Sequence, residues 1–147
     1  MEYDKDLRSI QEARDLIKNA KVAQKQLANW SQAEIDKLTK HICESCVRNA
    51  EPLAKLAQEE TGFGKWEDKI LKNLLGSKMT YEAMENLKTV GIIREDRAGR
   101  FFEVAVPVGV VVALIPSTNP TSTVMYKSLI SLKAGNAIII SPHPSAK

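Results

Sequence analysis

Apolar residues recur at helical spacing through the first ninety positions, then alternate, then run without a break, and these three patterns mark out the elements. Between Leu7 and Leu27 the stripe Ile10, Ala13, Ile17 and Ala20, with Lys18, Lys21 and Lys25 off it, predicts an amphipathic helix. Ser31 followed by Glu34 is a capping box, where hydroxyl and carboxylate satisfy each other's orphan backbone donors. It opens a second helix over Ile35, Leu38, Ile42 and Cys46, running to about Asn49. Pro52 suits the first turn of a short third helix, and Gly62 is its left-handed terminator. From Trp66, the positions Ile70, Leu71, Leu74, Leu75, Met79 and Leu87 predict a longer fourth helix that ends near Gly91.

Beyond Gly91, Ile92 to Glu95 and Phe101 to Val106 flank Asp96, Arg97, Ala98 and Gly99, a hairpin with a glycine-containing turn. Pro107 separates it from Val108 to Ile115, a β-branched run apolar on both faces, as expected of a parallel strand covered on each side. Ser122 to Lys133 carries Val124, Met125, Leu129 and Leu132 at helical spacing; Gly135 and Asn136 form a stop, and Ala137 to Ile140 is a further strand. Strand, helix and strand together have the size of a crossover unit. Two parallel strands need neighbours, so the sheet is expected to be incomplete within these residues. The expected fold is α/β: N-terminal helices over 1–90, a hairpin over 91–107, and the first βαβ unit of a parallel sheet over 108–147.

Composition narrows the function without naming it. With 147 residues, 44% of them hydrophobic, there is enough apolar material for a core. The charge of +3 arises from 21 basic and 18 acidic residues, well mixed, which disfavours a nucleic-acid partner. The longest apolar run is far shorter than a membrane span, so no membrane role is expected. Glu2, Asp4, Asp6, Glu12 and Asp15 are too many acids for a transit peptide, leaving a cytoplasmic location as the expectation.

Ligands of open parallel sheets bind beyond the carboxyl ends of the strands, the place occupied by Pro116, Ser117, Thr118, Asn119 and Pro120. The Asn119 amide can donate to an oxygen developing negative charge, or it can cap the following helix; spacing does not choose between them. His143, in Ser141-Pro142-His143-Pro144, also sits at a carboxyl end, where a ligand contact and a simple turn are equally open. Gly62-Phe63-Gly64 lacks the preceding strand and third glycine of a dinucleotide fingerprint and reads as a helix stop. Cys43 and Cys46 lie within one helix with no second pair, so no metal site is expected and both read as small buried hydrophobes; His41 beside them reads as a surface residue. Lys127, Arg94, Arg97 and Arg100 read as solvated.

Pro107-Val108-Gly109-Val110-Val111, Ile115-Pro116, Asn119-Pro120, Lys127, and Gly135-Asn136 before a strand that ends at a proline resemble the N-terminal part of the aldehyde dehydrogenase superfamily. Within it, Pro116 to Thr123, Lys127 to Lys133 and Ser141 to Pro144 resemble the CoA-acylating acetaldehyde dehydrogenases, including the aldehyde half of bifunctional aldehyde-alcohol dehydrogenases. Glu60-Thr61-Gly62 and Glu67-Asp68-Lys69 fit the same group. The resemblance implies a Rossmann-like sheet, NAD as cofactor, coenzyme A as co-substrate, a short-chain aldehyde or acyl-CoA as substrate, and a homo-oligomer joined through the hairpin region. It implies that Asn119 is the oxyanion donor, that Ile115, Pro116, Ser117 and Thr118 line the nicotinamide end of the cleft, and that Ser141, Pro142, His143 and Pro144 lie beside the adenosine. Ser141 stands where hydrolytic members usually have a lysine, which favours the acylating branch. Neither cysteine matches the family nucleophile, so these residues alone are expected to be inactive. Two other readings stay open: a non-acylating aldehyde or semialdehyde dehydrogenase, and an assembly module whose first helix docks onto a shell or filament, inside a bacterial microcompartment for instance.

Overall fold

The computed structural model of the chain describes residues 4–146; Glu2, counted above among the N-terminal acids, and Lys147, the end of the third expected part, lie outside the described residues. Helix α1 (Lys5–Leu27) and helix α2 (Gln32–Arg48) follow the first two stripes. Both halves of the capping box form: Ser31 Oγ accepts from the Glu34 amide, and the Glu34 carboxylate accepts from the Ser31 amide at 2.7 Å. Helix α3 (Ala50–Thr61) carries Pro52 in its first turn and ends on Gly62 at φ +70°.

The expected long fourth helix is broken into three pieces. Helix α4 (Trp66–Leu74) passes into a π-helical turn (Leu75–Met79) and then helix α5 (Thr80–Met84). Gly91 does not end a helix; it opens the next strand at φ +70°. Of the apolar positions that mark this helix, Ile70 and Leu74 are half-buried. Leu71, Leu75, Met79 and Leu87 are exposed, while Lys69, Asn73, Gly76 and Ser77 are buried. Burial of this polar stripe is tolerated because each side chain is bonded: Ser77 Oγ donates to Asn73 O (2.6 Å) and Asn73 Nδ2 to Ala50 O (2.8 Å). The extra residue of the π turn brings both Gly76 and Ser77 onto the inner side.

Strands β1 (Gly91–Asp96) and β2 (Phe101–Ala105) pair antiparallel, with a bulge between Ile92 and Arg94. In the turn it is Arg100, not Gly99, that takes a positive φ (+55°). A Cβ at Gly99 would lie 2.8 Å from the Phe101 ring, an exposed side chain that would have to shift. Arg94 and Arg97 pair with Glu103 and Glu95 at the exposed surface.

Strand β3 (Val110–Leu114), helix α6 (Pro120–Lys133) and strand β4 (Ala137–Ser141) form the expected unit, the two strands parallel with Leu114 opposite Ser141. Along β3, Ala113 is 1% exposed and Leu114 71%. A Schellman motif closes α6, with Asn136 N donating to Ser131 O and Gly135 N to Leu132 O, both at 2.9 Å. The Asn136 side chain then accepts from Gly109 N (2.9 Å) and so fixes where β3 begins. Helix α6 is the centre of the packing, lying against the strand pair, the π turn and α2, α3 and α4. Cys43, Met84 and Leu129 form the core between α2, α5 and α6. Lys133, 2% exposed, ties these elements by donating to Asp36 (2.6 Å) and Glu85 O (3.0 Å).

Candidate functional site

The parallel pairing sets the carboxyl ends of β3 and β4 side by side, and Ile115 N donates to Ser141 O at 2.9 Å just past the last ladder pair. The segments Ile115–Thr118 and Ser141–Pro144, remote in sequence, therefore leave the sheet together at one edge. Ile115 is buried beneath this edge, whereas Pro116, Thr118, Pro142, His143 and Pro144 are exposed on it. Lys127, read from the sequence as solvated, donates instead to Leu114 O at 2.7 Å and holds the last carbonyl of β3.

Asn119 occupies the cap position of α6, yet its side chain makes no cap hydrogen bond. Its main-chain carbonyl does the anchoring, accepting from Thr123 N (3.2 Å) and Thr123 Oγ1 (2.6 Å). The amide oxygen accepts from Lys72 Nζ at 2.9 Å, and Nδ2 has only a long approach of 3.4 Å to Thr118 Oγ1. A lysine ammonium can only donate, so the atom facing it must be Oδ1 and the amide hydrogens must face away. Capping, one of the two roles left open by spacing, is therefore not the role the side chain adopts.

Helix α4 grips this loop through residues the sequence did not single out for function. Lys69 Nζ donates to Thr118 O (2.7 Å), Lys72 to the Asn119 amide, and Asn73 Oδ1 accepts from Thr121 Oγ1 (2.8 Å). Lys69 lies buried, which lowers its pKa, and the neighbouring Lys72 charge lowers it further. The available signal was the i, i+3, i+4 spacing of polar residues opposite the leucine row.

His143 forms a turn: Nδ1 accepts from Ser145 N (3.1 Å), and its carbonyl from Ala146 N (2.9 Å). The ring is exposed and Nε2 is left to carry the proton. Both thiols are pushed up in pKa, that of Cys43 by burial first and then by Cys46, that of Cys46 by burial; neither is an activated nucleophile. Cys46 lines a largely apolar groove of 580 Å³ between α2 and α3 on one side and α6 on the other, whose wall also includes Ile115, Pro120 and Pro142. His41 Nδ1 lies 2.8 Å from Lys37 O on the surface of α2. Among the described residues no cluster of metal-ligating side chains occurs, and no helix is long and apolar enough to cross a membrane.

A parallel strand pair joined by a helix, with a polar loop and a proline turn at its carboxyl edge, belongs to the class of open α/β folds that bind ligands along that edge. The model of the aldehyde dehydrogenase family matches residues 7–147, and the chain belongs to that family. It is 41% identical over 139 residues to the bifunctional aldehyde-alcohol dehydrogenase AdhE of Escherichia coli (strain K12), covering 95% of this chain and 16% of that protein. An acetylating aldehyde dehydrogenase from Geobacillus thermoglucosidasius has a crystal structure that superposes with a TM-score of 0.95 at 52% identity, over 99% of this chain and 32% of that one. A propionaldehyde dehydrogenase from Rhodopseudomonas palustris with bound propionyl-CoA superposes with a TM-score of 0.76 at 29% identity, over 90% of this chain and 29% of that one. The chain thus spans less than a third of the length of each.

Proposed function

We propose that this chain is the N-terminal wall of a CoA-acylating aldehyde dehydrogenase, in which short aldehyde, CoA and NAD are converted to acyl-CoA and NADH, reversibly. The observation that carries the reading is the Asn119 amide, in the loop that follows β3, with its oxygen held by Lys72 instead of capping α6, which turns Nδ2 away from that lysine. In this reading Nδ2 donates to the oxygen of the carbonyl carbon as a cysteine thiolate from elsewhere in the full-length protein adds to it. The charge that develops on that oxygen meets a donor already oriented, so little reorganisation is needed as the bond forms.

The residues fit one side of a nicotinamide dinucleotide site. In this reading Pro116, Ser117 and Thr118 line the nicotinamide end above the buried Ile115, and Ser141, Pro142, His143 and Pro144 lie beside the adenosine; the β3–β4 pairing, which makes the two segments neighbours, supports it. The bound dinucleotide supplies the hydride acceptor. The strand-to-helix turn at 116–121 contains no glycine, so a pyrophosphate is not cradled by a glycine-rich turn here. Ser141 leaves the adenosine ribose without a lysine, as in the acylating branch. The parts 1–90, 91–107 and 108–147 then correspond to helices packed around the cofactor domain, an oligomerisation hairpin and the start of a Rossmann-like sheet. An exposed two-stranded hairpin is marginal alone and gains stability from a partner strand or subunit.

Full-length enzyme carrying this segment is expected to form NADH from a short aldehyde only when CoA is present. Asn119→Ala should lower kcat by about two to three orders of magnitude, the loss typical of one oxyanion donor. NADH formation independent of CoA would replace the acylating reading with the hydrolytic one. A second reading, docking onto a shell or filament through α1, draws on the exposure of Leu7, Ile10, Leu16 and Ile17 on its N-terminal part. Because α1 also packs on β3 and β4, the test is Leu7→Ser with Ile10→Ser rather than deletion of the helix. Lost co-assembly with retained turnover supports docking; unchanged co-assembly refutes it.

A further inference from the structure

We infer that Lys72 is the positioning residue of the Asn119 amide: by taking Oδ1 it keeps the side chain from capping α6 and leaves Nδ2 to donate outward. The inference rests on the oxyanion reading of Asn119 given above. It begins from a competition that the sequence leaves open and the structure resolves. An asparagine at a helix cap normally places Oδ1 on an amide of the first turn, and α6 begins with amides that have no partner inside the helix. Asn119 sits at that position and does not make the bond; the oxygen lies 2.9 Å from Lys72 Nζ instead. A charged donor outcompetes a neutral backbone amide for the same oxygen. Drawing electron density toward Oδ1 also makes the Nδ2 hydrogens better donors.

The placement of Lys72 is built rather than incidental. It stands three residues after Lys69 and one before Asn73, and both of these are buried and bonded to the same loop, at Thr118 O and Thr121 Oγ1. Asn73 is fixed in turn by its bond to Ala50 O, so α4 is locked in rotation against the loop and Lys72 is delivered to Asn119. Two ammonium groups on adjacent positions of one helix face repel, and the pKa of Lys69 is lowered by its burial first and by the Lys72 charge second. Lys72 itself is exposed, so its removal leaves no buried cavity.

In full-length enzyme carrying this segment, Lys72→Met should lower kcat for NADH formation from acetaldehyde and CoA about tenfold with KM for both substrates nearly unchanged, as expected when an interaction made only in the transition state is weakened. Lys72→Arg, which keeps a donor on Oδ1, should recover most of the rate. The melting temperature of Lys72→Met should stay at or slightly above that of the parent, because the released amide falls back onto α6 as a cap. In an Asn119→Ala background, Lys72→Met should cost nothing further. Losses that multiply in full, or a kcat unchanged by Lys72→Met while Asn119→Ala is impaired, would overturn the role of Lys72 alone. An Asn119→Ala enzyme with undiminished kcat would overturn the oxyanion reading and this inference with it.

Discussion

Replacing Gly76 by alanine is expected to destabilise the protein by crowding the start of α6. A glycine inside a helix costs about 1 kcal/mol relative to alanine, so from propensity alone the change should stabilise the protein. The structure places Gly76 in the π turn with its α-carbon facing the first turn of α6. A Cβ there would lie 2.6 Å from the carbonyl oxygen of Ser122, where ordinary contact begins at 3.4 Å, so the two segments must separate by about 0.8 Å. The obstructing atoms are backbone and cannot rotate away. Overpacking of this kind costs about 1–3 kcal/mol, and a clash between two main chains belongs at the upper end. Set against the propensity gain, the net expectation is a loss of about 2 kcal/mol. Urea unfolding followed by far-UV circular dichroism reads it as a lowered midpoint at constant slope. Gly62→Ala serves as the comparison, since nothing lies within 4 Å of its Cβ and its cost is left-handed strain alone, about 1–2 kcal/mol. Ser122 follows Asn119 by one turn, so Gly76→Ala should also lower kcat in the full-length enzyme. A midpoint at or above that of the parent would refute the argument.

Lys133→Met should lower the urea midpoint by the equivalent of about 2 kcal/mol: breaking a buried pair usually costs more, but Asp36 is 39% exposed and regains water. An unchanged midpoint would mean that the Asp36 contact contributes nothing. Glu34→Gln should alter the pH dependence of stability. The Ser31 backbone and side-chain bonds hold the Glu34 carboxyl below its ordinary value of 4.5, so its contribution is present above that value and is lost as pH falls through the lowered one. The gap in urea midpoint between parent and Glu34→Gln should therefore close in acid, and a gap constant with pH would contradict the capping-box account.

Local chemistry made several features legible before any coordinates. The Ser31–Glu34 box, the Gly62 terminator and the Gly135–Asn136 stop each depend on contacts within a few residues, and each formed as read. The strand-helix-strand unit was legible because β-branched runs and a glycine stop bracket a helix-period segment. The fourth helix was read as continuous because its apolar residues keep the helical period across the π turn. Nothing in that period reveals that Lys69, Asn73 and Ser77 find buried partners on α3, on the 116–121 loop and within α4 itself.

The sequence by itself determined the order of the helices and strands apart from the π turn, the parallel pairing that brings residues 115–118 and 141–144 to one edge, and the family resemblance, because these follow from periodicity, caps and contiguous motifs. Only the tertiary structure decided which polar side chains of α4 are buried and that the Asn119 oxygen goes to Lys72 rather than to its own helix. Those outcomes are competitions between partners 47 or more residues apart in the case of α4 and its loop. A side chain chooses the partner that is charged, near and unsatisfied, and only the packed fold establishes which one that is.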